Sequence, residues 1–291
     1  MNHSQANAQR TAHDDAHTSS ADARALLATC VAAVVKGADA VRARAQQLDT
    51  LAWEEKARAD YVSEADRASE REIAAIVAAR HPAARMLGEE LSPDLAAAEL
   101  AHGLVFVADP LDGTTNFLHG FPCYAVSVAA VVDGAPAAGA ILNVPTGELF
   151  TATAGGGARR NGQPIRVSTI EEPIRALVAT GFPFKDARHV DRYLRDFGTV
   201  MRQTAGVRRP GAAALDLADV ACGRFDAFWE LSLAPWDIAA GVLLVHEAGG
   251  VVTDMGGAPV AIAHTSLIAG NPSMHAWLSG VLGAGSEGIR I

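Results

Sequence analysis

Leu104-Val105-Phe106-Val107-Ala108-Asp109-Pro110-Leu111-Asp112-Gly113-Thr114-Thr115-Asn116-Phe117 is the stretch from which the fold and the chemistry are read. Its first five residues are an unbroken apolar run, the pattern of a short strand buried on both faces. The run ends on two carboxylates three residues apart. An unpaired buried charge is costly and two neighbouring ones repel, so a cation is their natural partner. Hard divalent ions such as Mg²⁺ take oxygen ligands, and one or two carboxylates with waters and a substrate phosphate complete the shell. The Leu111 carbonyl, in what reads as a tight turn, is a further oxygen donor. Gly113-Thr114-Thr115-Asn116 then reads as the start of a helical turn whose free N–H groups suit a phosphate oxygen. Taken alone, Asp112-Gly113 is equally a β-turn with Asp109 as its cap.

Upstream, Leu27, Val31, Val34 and Val35 recur at helical spacing and predict an alanine-rich helix from Ala21 to about Gln47. Ser63 with Asp66 three residues on predicts the N-cap of a second helix that runs to Arg80, before His81-Pro82. Downstream, Tyr124 to Val132, Asp133-Gly134 and Ala138 to Val144 predict a hairpin. A second hairpin is expected from Glu148 to Ala154, Asn161-Gly162 and Ile165 to Ser168. Strands near Leu177–Thr180 and Ala227–Glu230 alternate with helices near Val190–Met201 and Ala212–Ala221, and a last helix follows Trp236. The chain thus reads as mixed α/β (α+β), with a mostly antiparallel first sheet and a smaller second one. It divides into a tail over residues 1–20, an α+β part over 21–165 holding most of the acidic candidates, and an α/β part over 166–291 holding Asp237.

The 291 residues carry a net charge of −9 with only three lysines, so no basic face for direct nucleic-acid binding is visible. Cys30, Cys123 and Cys222 lie far apart among apolar residues and read as reduced core thiols of a cytoplasmic protein. No apolar run approaches the ~18 residues of a membrane span. Gly283-Ala284-Gly285-Ser286-Glu287-Gly288 matches a dinucleotide fingerprint in letters only, since three residues follow it where a helix is needed. The sequence holds no P-loop, zinc-protease or serine-elbow motif, and His119 reads as structural.

Three more acidic segments accompany the main one: Gly88-Glu89-Glu90, Ser63-Glu64-Ala65-Asp66 and Trp236-Asp237-Ile238-Ala239-Ala240-Gly241. Singly they have plain readings, Asp66 in a capping box and Asp237 facing a helix dipole. In this order and spacing, with Asp109 to Phe117 between them, they resemble the inositol monophosphatase family, its bacterial SuhB-type branch most of all. Lys56 to Asp66, Asn161-Gly162, Gly181-Phe182-Pro183-Phe184 and Ile268-Ala269-Gly270-Asn271-Pro272 extend the resemblance over nearly the whole chain after the tail.

The resemblance implies a layered α/β/α/β/α sandwich, usually dimeric, and a lithium-sensitive, Mg²⁺-dependent phosphatase acting on inositol monophosphate. Two to three ions are implied. Glu89, Asp109 and the Leu111 carbonyl would hold the first, Asp109, Asp112 and Asp237 the second, and Glu89 with Asp66 a weaker third. Gly113 and Thr114 would donate N–H groups to phosphate, Thr114 paired with Asp66 would activate water, and Gly211, Ala213 and Glu230 would line the polyol pocket beside Glu89, Asp112 and Asp237. Sister activities on fructose 1,6-bisphosphate, 3′-phosphoadenosine 5′-phosphate or histidinol phosphate stand as alternatives. So does an added role with the machinery of transcription or ribosomal-RNA maturation. Ala212, Ala57 and Leu233-Ala234-Pro235 depart from common family residues and bear on substrate preference rather than on the metal ligands.

Overall fold

The computed structural model describes residues 20–46, 48, 53–57, 60–91, 100–184 and 187–283, so all but the last residue of the expected tail, and the glycine-rich motif after Gly283, lie outside the described residues. The chain opens with helix α1 (Ser20–Ala45), a hairpin of β1 (Trp53–Ala57) and β2 (Asp60–Ser63), and helix α2 (Glu64–Arg80). The buried face of α1 overlaps the predicted stripe only in part. Leu26, Cys30, Ala33, Val34, Ala38 and Val41 face the core, whereas Val35 is 39% exposed and Leu27 and Val31 are half-buried. Small side chains let the helix backbone approach closely, so volume rather than hydrophobic bulk chose the face. Helix α2 starts as predicted. Ser63 Oγ accepts the Ala65 N–H at 3.1 Å while Asp66 Oδ2 accepts the Ser63 N–H at 2.8 Å.

A seven-stranded sheet follows in sequential order: β3 (Arg85–Gly88), β4 (Leu104–Asp112), β5 (Ala125–Val132), β6 (Ala135–Asn143), β7 (Leu149–Thr153), β8 (Gly157–Arg160) and β9 (Gln163–Pro164). Only β3 and β4 pair in parallel. Asp133 and Gly134 both take positive φ, 47° and 84°, as a two-residue hairpin turn requires. The second predicted hairpin needs correction. The Asn161-Gly162 turn joins β8 to β9, and Ile165–Ser168 forms no strand. Gly155 and Gly157, at φ 70° and 78°, turn the chain earlier and insert β8 against β7. Val167 instead donates its N–H to the Ala248 carbonyl at 3.1 Å.

Between β4 and β5 lies the short helix α3 (Thr114–Leu118). The second sheet comprises β10 (Leu177–Thr180), β11 (Gly206–Arg208), β12 (Ala227–Leu233), β13 (Val251–Asp254) and β14 (Thr265–Gly270), in the order β11-β10-β12-β14-β13. Four helices accompany it: α4 (Val190–Gln203), α5 (Ala213–Ala221), α6 (Pro235–Glu247) and α7 (Pro272–Gly283). Three apolar clusters define the layers. One joins α1 and α2 to the outer face of the first sheet. The largest fills the space between the sheets around α5 and α6. The third packs α4 and α7 on the far face of the second sheet. The architecture is the α/β/α/β/α sandwich the resemblance implies.

Candidate active site

Asp109 and Asp112 stand at the end of β4, and the tight turn expected between them is a bulged strand instead. Asp109 pairs with Ser127 and Asp112 with Ala125, so two intervening residues of β4 oppose one of β5. In a regular strand, residues three apart point to opposite faces. The extra residue at Pro110-Leu111 turns both carboxylates to the same side. Gly113 then takes φ 90°, where a Cβ would come within 2.9 Å of the Cys123 carbonyl, and hands the chain to α3.

The third carboxylate arrives on another element. β12 is irregular between Glu230 and Leu233, with Ser232 at φ 60°, and this bend delivers Pro235 to the start of α6. Asp237 Oδ2 accepts the Ala234 N–H at 2.7 Å, so besides standing in the first turn it caps the helix start. Its carboxylate also offers an oxygen that lies within 4.8 Å of oxygens from Asp109 and Asp112. Burial pushes the Asp109 carboxyl well above the usual range, and the charges of Glu89, Asp112 and Asp237 push it further. The Leu111 N–H on its Oδ1, at 2.9 Å, works in the opposite direction. Three carboxylates crowded at this depth form a hard oxygen donor set of the kind that suits Mg²⁺.

Asp66 serves α2 and the site together. Its Oδ2 caps the helix through Ser63, and its Oδ1 accepts the Thr114 hydroxyl at 2.8 Å. Thr114 Oγ1 also lies 3.0 Å from the Leu111 carbonyl. One hydroxyl proton cannot serve both, and the carboxylate is the stronger acceptor. Asp66 is itself fully buried, and that burial raises its carboxyl above the usual range despite the bonds from Ser63 and Thr114. Every other candidate, namely Glu89, Leu111, Gly113, Thr114, Gly211, Ala213 and Glu230 with the three aspartates, lines one cleft of about 410 Å³.

Several contributors were not legible beforehand. Lys56 Nζ lies 3.3 Å from Glu89 and 2.6 Å from Glu90. Asn116 Nδ2 donates to the carbonyls of Cys123 at 2.7 Å and Pro210 at 2.9 Å, holding the 210–211 loop against α3. Arg209 lines the cleft with its guanidinium 5.3 and 5.2 Å from the Phe182 and Phe184 ring centroids, and His119 lines it as well. Ser69 Oγ donates to the buried Pro110 carbonyl at 2.7 Å. Ser69 had a signal, because it stands three residues after Asp66 on the same helix face.

The sequence matches the inositol monophosphatase family over residues 22–284. This chain belongs to the inositol monophosphatase family. It is therefore a phosphatase. It is 46% identical over 228 residues to the Nus factor SuhB of Pseudomonas aeruginosa, covering 78% of this chain and 84% of that one. It is 42% identical over 247 residues to the inositol-1-monophosphatase of Rhizobium meliloti, covering 85% and 92%. The crystal structure of the extragenic suppressor protein SuhB from Bartonella henselae superposes with a TM-score of 0.84 at 40% identity, covering 91% of this chain and all of that one. The three cysteines of this family member are free, and among its described residues no helix is long and apolar enough to cross a membrane.

Proposed function

We propose that this phosphatase hydrolyses monoesters of hydroxyl-rich alcohols, myo-inositol monophosphate first among them, with Mg²⁺ as cofactor. The observation that supports this above the others is the convergence of Asp109, Asp112 and Asp237 beside the Thr114–Asp66 pair. Glu89, Asp109 and the Leu111 carbonyl would hold one ion and Asp109, Asp112 and Asp237 a second, with Glu89 and Asp66 supporting a weaker third. Bound there, Mg²⁺ supplies charge neutralisation at the phosphoryl oxygens and makes a nearby water more acidic.

The chain's own residues supply the rest. With its hydroxyl proton directed at Asp66, Thr114 Oγ keeps lone pairs to accept and orient the attacking water, and as it takes the water's proton it would pass its own to the Asp66 carboxylate. Gly113 and Thr114 offer backbone N–H groups to the phosphate. Water rather than a side chain is the nucleophile, so the alcohol leaves opposite the attack. Glu230 accepts hydrogen bonds from alcohol hydroxyls and repels a second phosphate. The Rhizobium meliloti relative's name supports the inositol ester.

A substrate panel tests this reading. Inositol 1-phosphate should exceed fructose 1,6-bisphosphate and 3′-phosphoadenosine 5′-phosphate in kcat/KM, activity should vanish with chelator, and millimolar Li⁺ should inhibit. Full turnover after exhaustive metal removal would refute the cofactor; preference for a bisphosphate would move the substrate to a sister ester. A cytoplasmic homodimer belongs to the same reading, and light scattering checks the dimer. The Pseudomonas aeruginosa relative's name as a Nus factor supports a second, non-catalytic role with transcription machinery. Sedimentation of this chain with purified RNA polymerase tests that role, and unchanged sedimentation would exclude it.

A further inference from the structure

The carboxylate of Glu70 has no part in the mechanism above. It is fully buried, one turn beyond Asp66 on the same face of α2. Its Oε2 accepts the Glu90 N–H at 2.7 Å and its Oε1 the Leu91 N–H at 2.9 Å. Strand β3 makes room for it: a Cβ at Gly88 would stand 2.1 Å from Glu70 Oε1. Burying a carboxylate carries a heavy desolvation cost, which charge-assisted hydrogen bonds offset. A loop that needed only to be covered would be served by an apolar side chain at this position.

The backbone it grips belongs to the two residues immediately after Glu89. The Glu89 side chain lines the cleft, and its charge is the first that Asp109 feels. Helix α2 therefore reaches the site at three levels through residues spaced 0, 3 and 4: Asp66 to Thr114, Ser69 to the Pro110 carbonyl, and Glu70 to the Glu89 loop. The first two act on the β4–α3 segment. The third fixes the loop that carries Glu89 out of the β3–β4 ladder, whose last pair, Gly88 with Ala108, sets Glu89 beside Asp109.

We infer that Glu70 is a positioning residue whose grip on the Glu90 and Leu91 amides sets where the Glu89 carboxylate stands, and so sets the site's affinity for Mg²⁺. The consequence for Mg²⁺ rests on the proposed function, whereas the grip itself does not. Partners that orient metal ligands typically change affinity by roughly 10–100-fold when lost. In Glu70→Gln an amide NH₂ replaces one acceptor, so one backbone N–H loses its partner while the side-chain volume stays.

The test uses the full-length chain. In the metal-free wild type, hydrogen exchange at the Glu90 and Leu91 amides should be slower than in Glu70→Gln by on the order of 100-fold. Calorimetric titration with Mg²⁺ alone should give Glu70→Gln a Kd raised roughly 10–100-fold. At saturating Mg²⁺ its kcat and the ester KM should stay within about twofold of wild type, a split that general structural damage would not give. A folded Glu70→Gln with the wild-type Mg²⁺ Kd would overturn the proposal. So would kcat lost at saturating Mg²⁺ with Kd unchanged. Should Glu70→Gln fail to fold, the wild type decides: Glu90 and Leu91 amides exchanging at open-loop rates overturn the grip. A wild type that binds no Mg²⁺ refutes the cofactor and the affinity claim, while protected amides would still uphold the grip.

Discussion

Single atoms carry much of this site. Thr114 Oγ1 is one: on the proposed mechanism its bond to Asp66 would matter most when the attacking water loses its proton. Thr114→Ala should therefore lower kcat by roughly 10²-fold with little change in KM. A mutant that raises KM alone would make Thr114 a substrate binder, and initial-rate kinetics separate the two. Asp216 is the opposite kind of residue. It is 1% exposed, and among the described residues both its carboxylate oxygens lack a hydrogen-bond partner. Burial raises its carboxyl well above the usual range, with Glu230, Asp112 and Asp219 adding to the rise. A raised acid stays protonated in the fold after the unfolded chain has ionised. Its stability contribution is therefore intact below about pH 4 and declines as pH rises toward the folded-state value. Asp216→Asn is neutral throughout and should stabilise the chain at pH 8 by on the order of 1–3 kcal/mol. That gain should shrink toward pH 5. Melting curves at the two pH values check it, and an equal gain at both would show that Asp216 is already ionised in the fold at pH 5 and that its carboxyl is not raised.

At the scale of elements, the site is built where regular structure breaks. The β4 bulge aims Asp109 and Asp112 together, and the β12 irregularity presents Glu230 and leads to Asp237. Neither break was visible in advance, because a one-residue bulge leaves no hydrophobic period behind it. The caps were visible: Ser63 with Asp66 was legible since the capping box is a local, four-residue device. The α3 connection to the 210–211 loop rests on Asn116, whose amide donates to carbonyls on both sides. Asn116→Ala removes those donors from part-buried acceptors and should cost about 1–3 kcal/mol. It should also raise KM more than it lowers kcat, because Gly211 lines the cleft and is what the loop positions. Denaturant melts beside Michaelis kinetics test both, and unchanged KM would place the loop outside substrate binding.

For the whole molecule, the acidic site unites distant segments. Asp109 and Asp112 end a strand of the seven-stranded sheet, Glu89 follows β3, and Asp237 begins a helix of the central layer. An ion bound there joins them, so Mg²⁺ should stabilise the fold by about 2.7 kcal/mol at one hundred times its Kd. In metal-free protein, Asp237→Asn should be no less stable than the parent, since it removes one of the repelling charges around Asp109. With Mg²⁺ most of the stabilisation should be absent. Differential scanning calorimetry with and without Mg²⁺ measures this, and a full Mg²⁺ response in Asp237→Asn would remove it from the ligand set.

By itself the sequence determined what is local. Ser63 capped a helix, Asp133-Gly134 turned a hairpin, and Leu104 to Ala108 ran as a buried strand, each fixed by residues within a few positions of one another. The acidic candidates were also legible, because carboxylates at the end of an apolar run are costly without a cation. Tertiary structure decided what depends on volume and on distant partners. It chose the Ala33 and Ala38 side of α1 over Val35, inserted β8, and set Lys56 against Glu89 and Glu90. It also placed Ser69 and Glu70 beneath the site. Those outcomes follow from close packing and from hydrogen bonds between segments tens of residues apart, and neither leaves a period or a spacing in the chain.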